Sequence, residues 1–333
     1  MHLKTASFLL LLLLSPLRVF AQQKPQYSQY MLNNFLLNPA ISGIEEYMDV
    51  KTGFRNQWTG IDDAPQNFYL SLHTKLTKNE KPAPAAINKT PSFAASREAR
   101  SIYRSANAVP HHGIGLLLLH DNIGPFSRTE VNVSYAYHLP LTDKVKLAAG
   151  AAAGVAQHAL RGEGLVFANP GDAAGASWTT YRPNLSLGVW LYASGFYAGL
   201  SASELLSNTV SIGDDAGMAI GFKNHYFFTA AYKIPASTKI DLLPSVMVKL
   251  LYPLPVSVDY NLRAIYDNKL WAGVSYRQQE GLAFLAGITW DKIVDLGYSY
   301  DLGTTSLGGV SHEVVLGVRI LSPNRMLSSQ NLW

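Results

Sequence analysis

The feature that most constrains this chain is a period of two. Across residues 128–139, Thr129, Val131, Val133, Tyr135, Tyr137 and Leu139 fall on one face of an extended chain. Arg128, Glu130, Asn132, Ser134, Ala136 and His138 fall on the other. Successive side chains of a strand point to opposite faces, so this alternation describes a sheet with an apolar solvent on one side and a polar environment on the other. The pattern returns with Leu270, Ala272, Val274 and Tyr276 against Trp271, Gly273, Ser275 and Arg277, and with Leu296, Tyr298, Tyr300 and Leu302 against Asp295, Gly297, Ser299 and Asp301. Fourteen such segments are predicted, at 47–58, 66–76, 112–120, 128–139, 144–154, 181–193, 195–203, 223–233, 240–251, 255–264, 269–277, 282–290, 294–302 and 311–321.

A soluble sandwich also alternates, and composition separates the two. Only 15% of the residues are charged, against 18 tyrosines and 26 glycines, whereas a soluble domain carries about 25% charged residues. Low charge with many aromatic rings fits strands that face lipid, with rings at the membrane boundaries. The first residues support export. Lys4 precedes an uncharged apolar run at 8–14, and Val19-Phe20-Ala21 offers a small residue for cleavage, so residues 1–21 are expected to be a signal peptide. No other run approaches the roughly 18 apolar residues of a transmembrane helix. The expected fold is therefore all-β: a transmembrane antiparallel β-barrel of about 14 strands. Removing Lys4 and Arg18 takes the formal charge from +4 to about +2, which gives no nucleic-acid footprint. The absence of cysteine excludes disulfides and thiolate chemistry.

The connections set an orientation. With the first strand starting in the periplasm, the even connections from the fourth onward, 140–143, 194–195, 234–239, 265–268 and 291–293, are short. The odd ones include the long connections 155–180, 204–222 and 303–310. Short periplasmic turns and long outer loops characterise outer-membrane barrels, so both termini are expected in the periplasm. The exception is 77–110, rich in Pro, Ala, Ser, Lys and Arg, which lacks any sustained apolar period and is expected to be a flexible insertion. It is either a spacer or a basic arm for a periplasmic partner. The expected organisation is a signal peptide at 1–21, an N-terminal segment at 22–46, a barrel at 47–321 and a tail at 322–333. The segment 22–46 is neither alternating nor helical. It is either a loose tether or a luminal plug, whose Gln, Asn and Tyr side chains would satisfy polar strand faces.

Little here points to catalysis. His111 and His112 lie near His120 and Asp121, but neighbours on a strand point to opposite faces and do not readily share a metal ion. The Ser, His and Asp residues come without a G-x-S-x-G elbow. The expectation is no enzyme activity, no cofactor and no metal. Asp121-Asn122-Ile123-Gly124-Pro125 has the residue types of a tight turn. Phe54-Arg55-Asn56-Gln57-Trp58 leads into a second connection, Gly60-Ile61-Asp62-Asp63-Ala64-Pro65.

Taken in order, several blocks resemble the PorP/SprF family of outer-membrane proteins. They are Gln26-Tyr27-Ser28-Gln29-Tyr30-Met31, Asn38-Pro39-Ala40, Arg55-Asn56-Gln57-Trp58, Asp121 with Gly124-Pro125, Tyr300-Asp301 and His312-Glu313. The resemblance runs to about residue 321, with 77–110 as an insertion. It implies a partner of the type IX secretion system and of gliding motility, one that helps export or anchor a large surface adhesin without turnover of a substrate. The implied partners are outer-membrane lipid, a large adhesin or other type IX substrate, and periplasmic or outer-membrane secretion components. A similarity of fold alone, to long-chain fatty-acid transporters with N-terminal plugs, supports a rival reading: uptake of a small hydrophobic molecule.

Overall fold

The computed structural model describes residues 27–76, 109–162, 177–206, 208–212, 218–278, 280–303 and 309–320. The expected signal peptide, most of the insertion at 77–110 and the tail at 322–333 lie outside these residues. The fourteen barrel strands are β1 (Met48–Thr59), β2 (Gln66–Leu76), β3 (His111–Ile123), β4 (Phe126–Pro140), β5 (Lys146–Leu160), β6 (Trp178–Ala193), β7 (Phe196–Ser203), β8 (His225–Tyr232), β9 (Ile240–Leu250), β10 (Ser257–Tyr266), β11 (Leu270–Arg277), β12 (Gly281–Trp290), β13 (Val294–Gly303) and β14 (Val310–Ile320). Each pairs antiparallel with its neighbours in sequence, and β14 returns to pair with β1, Met48 opposite Ile320 and Arg55 opposite Glu313. The ring is closed.

Closure is what hydrocarbon demands. No water is present there to satisfy free N–H and C=O groups, so strands cross a membrane only when every ladder is completed by another strand. Among the described residues no helix is long and apolar enough to cross. Burial follows the predicted faces. On β4, Glu130, Asn132, Ser134, Ala136 and His138 are buried, while Val131, Val133, Tyr135, Tyr137 and Leu139 are exposed. The outward set continues around the ring through Leu187, Val189, Leu200, Phe228, Leu262, Val274, Phe284, Leu296 and Leu316. In water such a surface would aggregate; in a bilayer it is the solvated surface.

The structure corrects several boundaries. Asp121 and Asn122, expected in a turn, are strand residues, and the turn proper is Gly124-Pro125, with Gly124 at φ +56°. The reason is register. β3 pairs with β4 out to Ile123–Phe126, and β4 with β5 out to Phe126–Leu160, so the three strands carry one another past the apolar band. β5 therefore runs on through Gln157 and His158, which the expected boundary at 154 excluded. The expected loop at 204–222 holds a separate hairpin, Asn208–Ile212 paired with Met218–Phe222.

Trp290 is outward and 73% exposed, whereas Trp190 faces inward and is fully buried. In bilayers containing brominated lipid, Trp290→Phe will remove a large part of the tryptophan quenching and Trp190→Phe will leave it nearly unchanged. Equal losses from the two variants would contradict the assigned faces.

Candidate functional site in the barrel lumen

Inward-facing strand positions carry polar and charged side chains, and each needs a partner once it leaves water. Many find one on the segment from Tyr27 to Tyr47. This segment makes three single turns of 3₁₀ helix, Tyr30–Leu32, Asn34–Leu36 and Pro39–Ile41. Local sequence explains the third. Asn38 caps it by accepting from the Ala40 N–H at 3.0 Å, and Pro39 supplies a preset φ at the first position. The Asn38 amide also donates to the Val189 and Leu200 carbonyls, at 3.0 and 3.1 Å, tying the turn to β6 and β7. Gly188 makes this approach possible, since a Cβ there would run into the Asn38 side chain.

The segment descends through the ring. Tyr27 lies beside Tyr69 and Arg277, in the half of the barrel away from Met48 and Ile320. Further along, the Asn261 amide donates to the Tyr30 hydroxyl at 2.6 Å and Asn33 donates to Ser71 at 2.8 Å. Near the opposite end, Ser42 meets Ser134 at 2.7 Å, and the Ser42 carbonyl lies 2.8 Å from His138 Nε2. His111 Nε2 lies 3.1 Å from the Gly43 carbonyl, and its ring stacks on that of His138 at 4.4 Å. Burial holds the hydroxyls of Tyr27 and Tyr30 well above the ordinary tyrosine pKa, with Asp121 adding to the shift at Tyr27 and Asp259 at Tyr30.

The centre of the site is ionic. Arg55 Nη1 lies 2.5 Å from Asp301 Oδ2 and 3.3 Å from Glu313 Oε2. Glu313 also accepts from the backbone N–H groups of Ser28 and Gln29, at 2.6 and 3.1 Å, and the Gln29 amide donates to the Glu313 carbonyl at 3.0 Å. The Ser28 hydroxyl bridges Arg55 and Asp301. Arg277 extends the network by donating to the Tyr27 carbonyl at 3.2 Å while facing Asp259 at 3.5 Å and Glu280 at 3.1 Å. Across the lumen, Arg128 pairs with Glu130 and Glu204, each at 2.5 Å, and Glu130 accepts from Asn184 and Asn132.

The motif residues separate by strand parity. Gln29, Arg55, Asp301 and Glu313 converge, with Tyr27, Tyr30, Asn38 and Pro39 on the same threaded segment. Asn56, Tyr300 and His312 alternate to the other face, where His312 bonds the Tyr298 hydroxyl at 2.7 Å and packs edge-on against Tyr300. Asp121 points inward and accepts from the Asn67 amide at 3.0 Å. Gln57, Trp58, Gly124 and Pro125 shape the rim: Gln57 N donates to the Pro65 carbonyl, Trp58 N to Ser311 and Gly124 N to the Asp63 carbonyl, while the Pro125 carbonyl accepts from Arg161 N. Gln26 lies outside the described residues. His111 and His112 point to opposite faces, the first buried and the second exposed. Sequence reading placed Ser28 in a motif block and Arg128 and Arg277 on alternating strand faces, but gave neither these residues nor Asp259 a role at the site. The available signal was charge on inward faces of neighbouring strands.

A family model described as type IX secretion system membrane protein PorP/SprF matches residues 19–318. No curated protein matches the chain. Among solved structures, the chain is similar to the Ralstonia pickettii toluene transporter TbuX, at 10% identity, covering 88% of this chain and 93% of that one with a TM-score of 0.49. It is also similar to the CymD monoaromatic hydrocarbon channel, at 13% identity, 88% and 92% coverage and a TM-score of 0.47. The Acinetobacter baumannii outer membrane protein Omp33 follows at 8% identity, 84% and 100% coverage and a TM-score of 0.46.

Removing one partner of a buried ion pair costs about 3–5 kcal/mol, because the other charge is left uncompensated. Arg55→Met will therefore lower the temperature at which the folded band disappears on SDS gels, and Arg55→Met combined with Glu313→Gln will recover part of that loss. A double variant that melts as low as Arg55→Met or lower would contradict the pairing.

Proposed function

The chain belongs to the PorP/SprF family of type IX secretion system membrane proteins, and on that premise we propose that it is an outer-membrane partner of the secretion machinery that helps export or anchor a large surface protein. Three features support the reading. An apolar outer belt on a closed ring suits residence in the outer membrane. The long connections at 161–177 and 204–224 leave from the end away from Met48 and Ile320, while the Met48 end has short ones between β6 and β7, β10 and β11, and β12 and β13, with 77–110 as its exception, which suits the periplasmic side. The polar contacts of the Tyr27–Tyr47 segment with the inner wall support its reading as a plug, with the barrel serving as a docking body and not as a conduit for the exported chain.

The observation that carries this reading is the ionic network across the lumen. Arg55, Asp301, Glu313 and Arg277 hold the segment from within and leave its chemistry committed to structure. Uptake of a small hydrophobic molecule calls for a continuous apolar route, and this belt of charge lies across such a route. No turnover of a substrate is part of the proposal. The residues at 77–110 are a candidate contact for an acidic periplasmic component, through their excess of Lys and Arg.

Deleting the gene in its native host will remove a large secreted protein from the cell surface and leave other outer-membrane barrels in place. Re-expression will restore it. An unchanged surface proteome, with impaired growth on a hydrophobic compound, would instead favour an uptake channel.

A further inference from the structure

Arg55, Arg128, Arg277 and Arg319 each face a carboxylate. Arg263, on the inner face of β10, has no carboxylate within ion-pair distance among the described residues, although Asp295 acts on it from further away. It is only 6% exposed, makes no ion pair among the described residues, and its Nε has no hydrogen-bond partner. The Trp271 ring lies 5.8 Å from its guanidinium carbon. A ring face attracts the charge but does not satisfy a guanidinium's donors.

Arg263 lines a cavity of about 60 Å³ between the threaded segment and the barrel wall, together with Glu45, Tyr47, Lys51, Asp295 and Arg319. Two of these cations are already committed. Lys51 is bonded to Asp49 at 2.7 Å, and Arg319 is bonded to Asp295 and, at 2.8 Å, to the Lys292 carbonyl. We propose that this cavity binds a single carboxylate, with Arg263 as its principal ligand.

Shape and size point to the ligand class. The lining holds three cationic side chains and two acidic ones, and Asp49, bonded to Lys51, brings the charges into balance. A monoanion disturbs that balance less than a doubly charged phosphate does. A guanidinium presents a planar fork that fits the two oxygens of a carboxylate. The space accommodates several water molecules or one carboxylate group. Tyr47 and Arg319 adjoin Met48 and Ile320, which pair across the seam, so the site lies near that mouth of the barrel. That this mouth is the periplasmic one rests on the functional reading above; the site itself does not. The carboxylate is therefore either a free small molecule or an acidic side chain on a peptide.

Trp271 supplies the reporter. The full-length protein in detergent is titrated at constant ionic strength with acetate, with a short amidated peptide bearing one Glu, and with inorganic phosphate, while tryptophan emission is followed. Acetate, the peptide or both will change the emission saturably, and the change will be absent in Trp271→Phe and in Arg263→Met. Arg263→Lys keeps the charge and loses the fork, so it will bind at least about tenfold more weakly; this variant decides the matter if Arg263→Met does not fold. Tighter binding of the peptide than of acetate assigns the carboxylate to a protein chain, and equal binding assigns it to a small molecule. Phosphate acting as strongly as the carboxylates, no saturable response, or a response that survives Arg263→Lys undiminished would overturn the proposal. Secretion is not the readout, so failure here is separable from failure of the functional reading.

Discussion

A strand in hydrocarbon has nowhere to place an unpaired N–H, so the pairing of β1 with β14 is the contact on which the rest depends. That seam completes the ladder, and it also sets the register of the lumen. Because Met48 opposes Ile320, Arg55 opposes Glu313 across a separation of 258 residues. Two charges that sequence places far apart thus become cross-strand neighbours on the inner face. A slip of one residue would turn the Arg55 side chain toward lipid, where an arginine is very costly.

Once the charges are inside, the lumen has to satisfy them. Arg55 alone cannot occupy all the acceptors of Asp301 and Glu313, and the backbone N–H groups of Ser28 and Gln29 supply more donors. This explains why the segment makes short 3₁₀ turns and no long helix. Its own N–H and C=O groups are needed by the wall, as at Leu37, whose carbonyl accepts from Ser201, and at Ser42, whose carbonyl meets His138. A helix would consume those groups internally. The apolar side chains between them, Tyr30, Met31, Phe35, Leu36 and Ile41, fill the remaining space against Tyr69, Trp190 and Met247.

Much of this was legible in the sequence because period-two alternation acts within one strand. The faces of β4, β11 and β13 needed nothing beyond the residues themselves. Strand ends were less legible. Gln157 and His158 look like loop residues until pairing with β4 and β6 shows that β5 continues above the apolar band. The Arg55–Glu313 contact was not legible at all, although both residues belong to recurring blocks. It depends on the strand number, on closure, and on the register of the seam, and no local pattern encodes those. The same applies to Arg263, whose isolation emerges only when its neighbours are in place.

The central claim is that the chain from Tyr27 to Tyr47 occupies the lumen and is held there by the wall. Electrical conductance in planar bilayers tests this most directly. Protein carrying the full N-terminal segment should show no steady ion conductance, and protein lacking residues 27–46 should form large, persistently open pores. Steady conductance of equal size from both proteins would contradict the account.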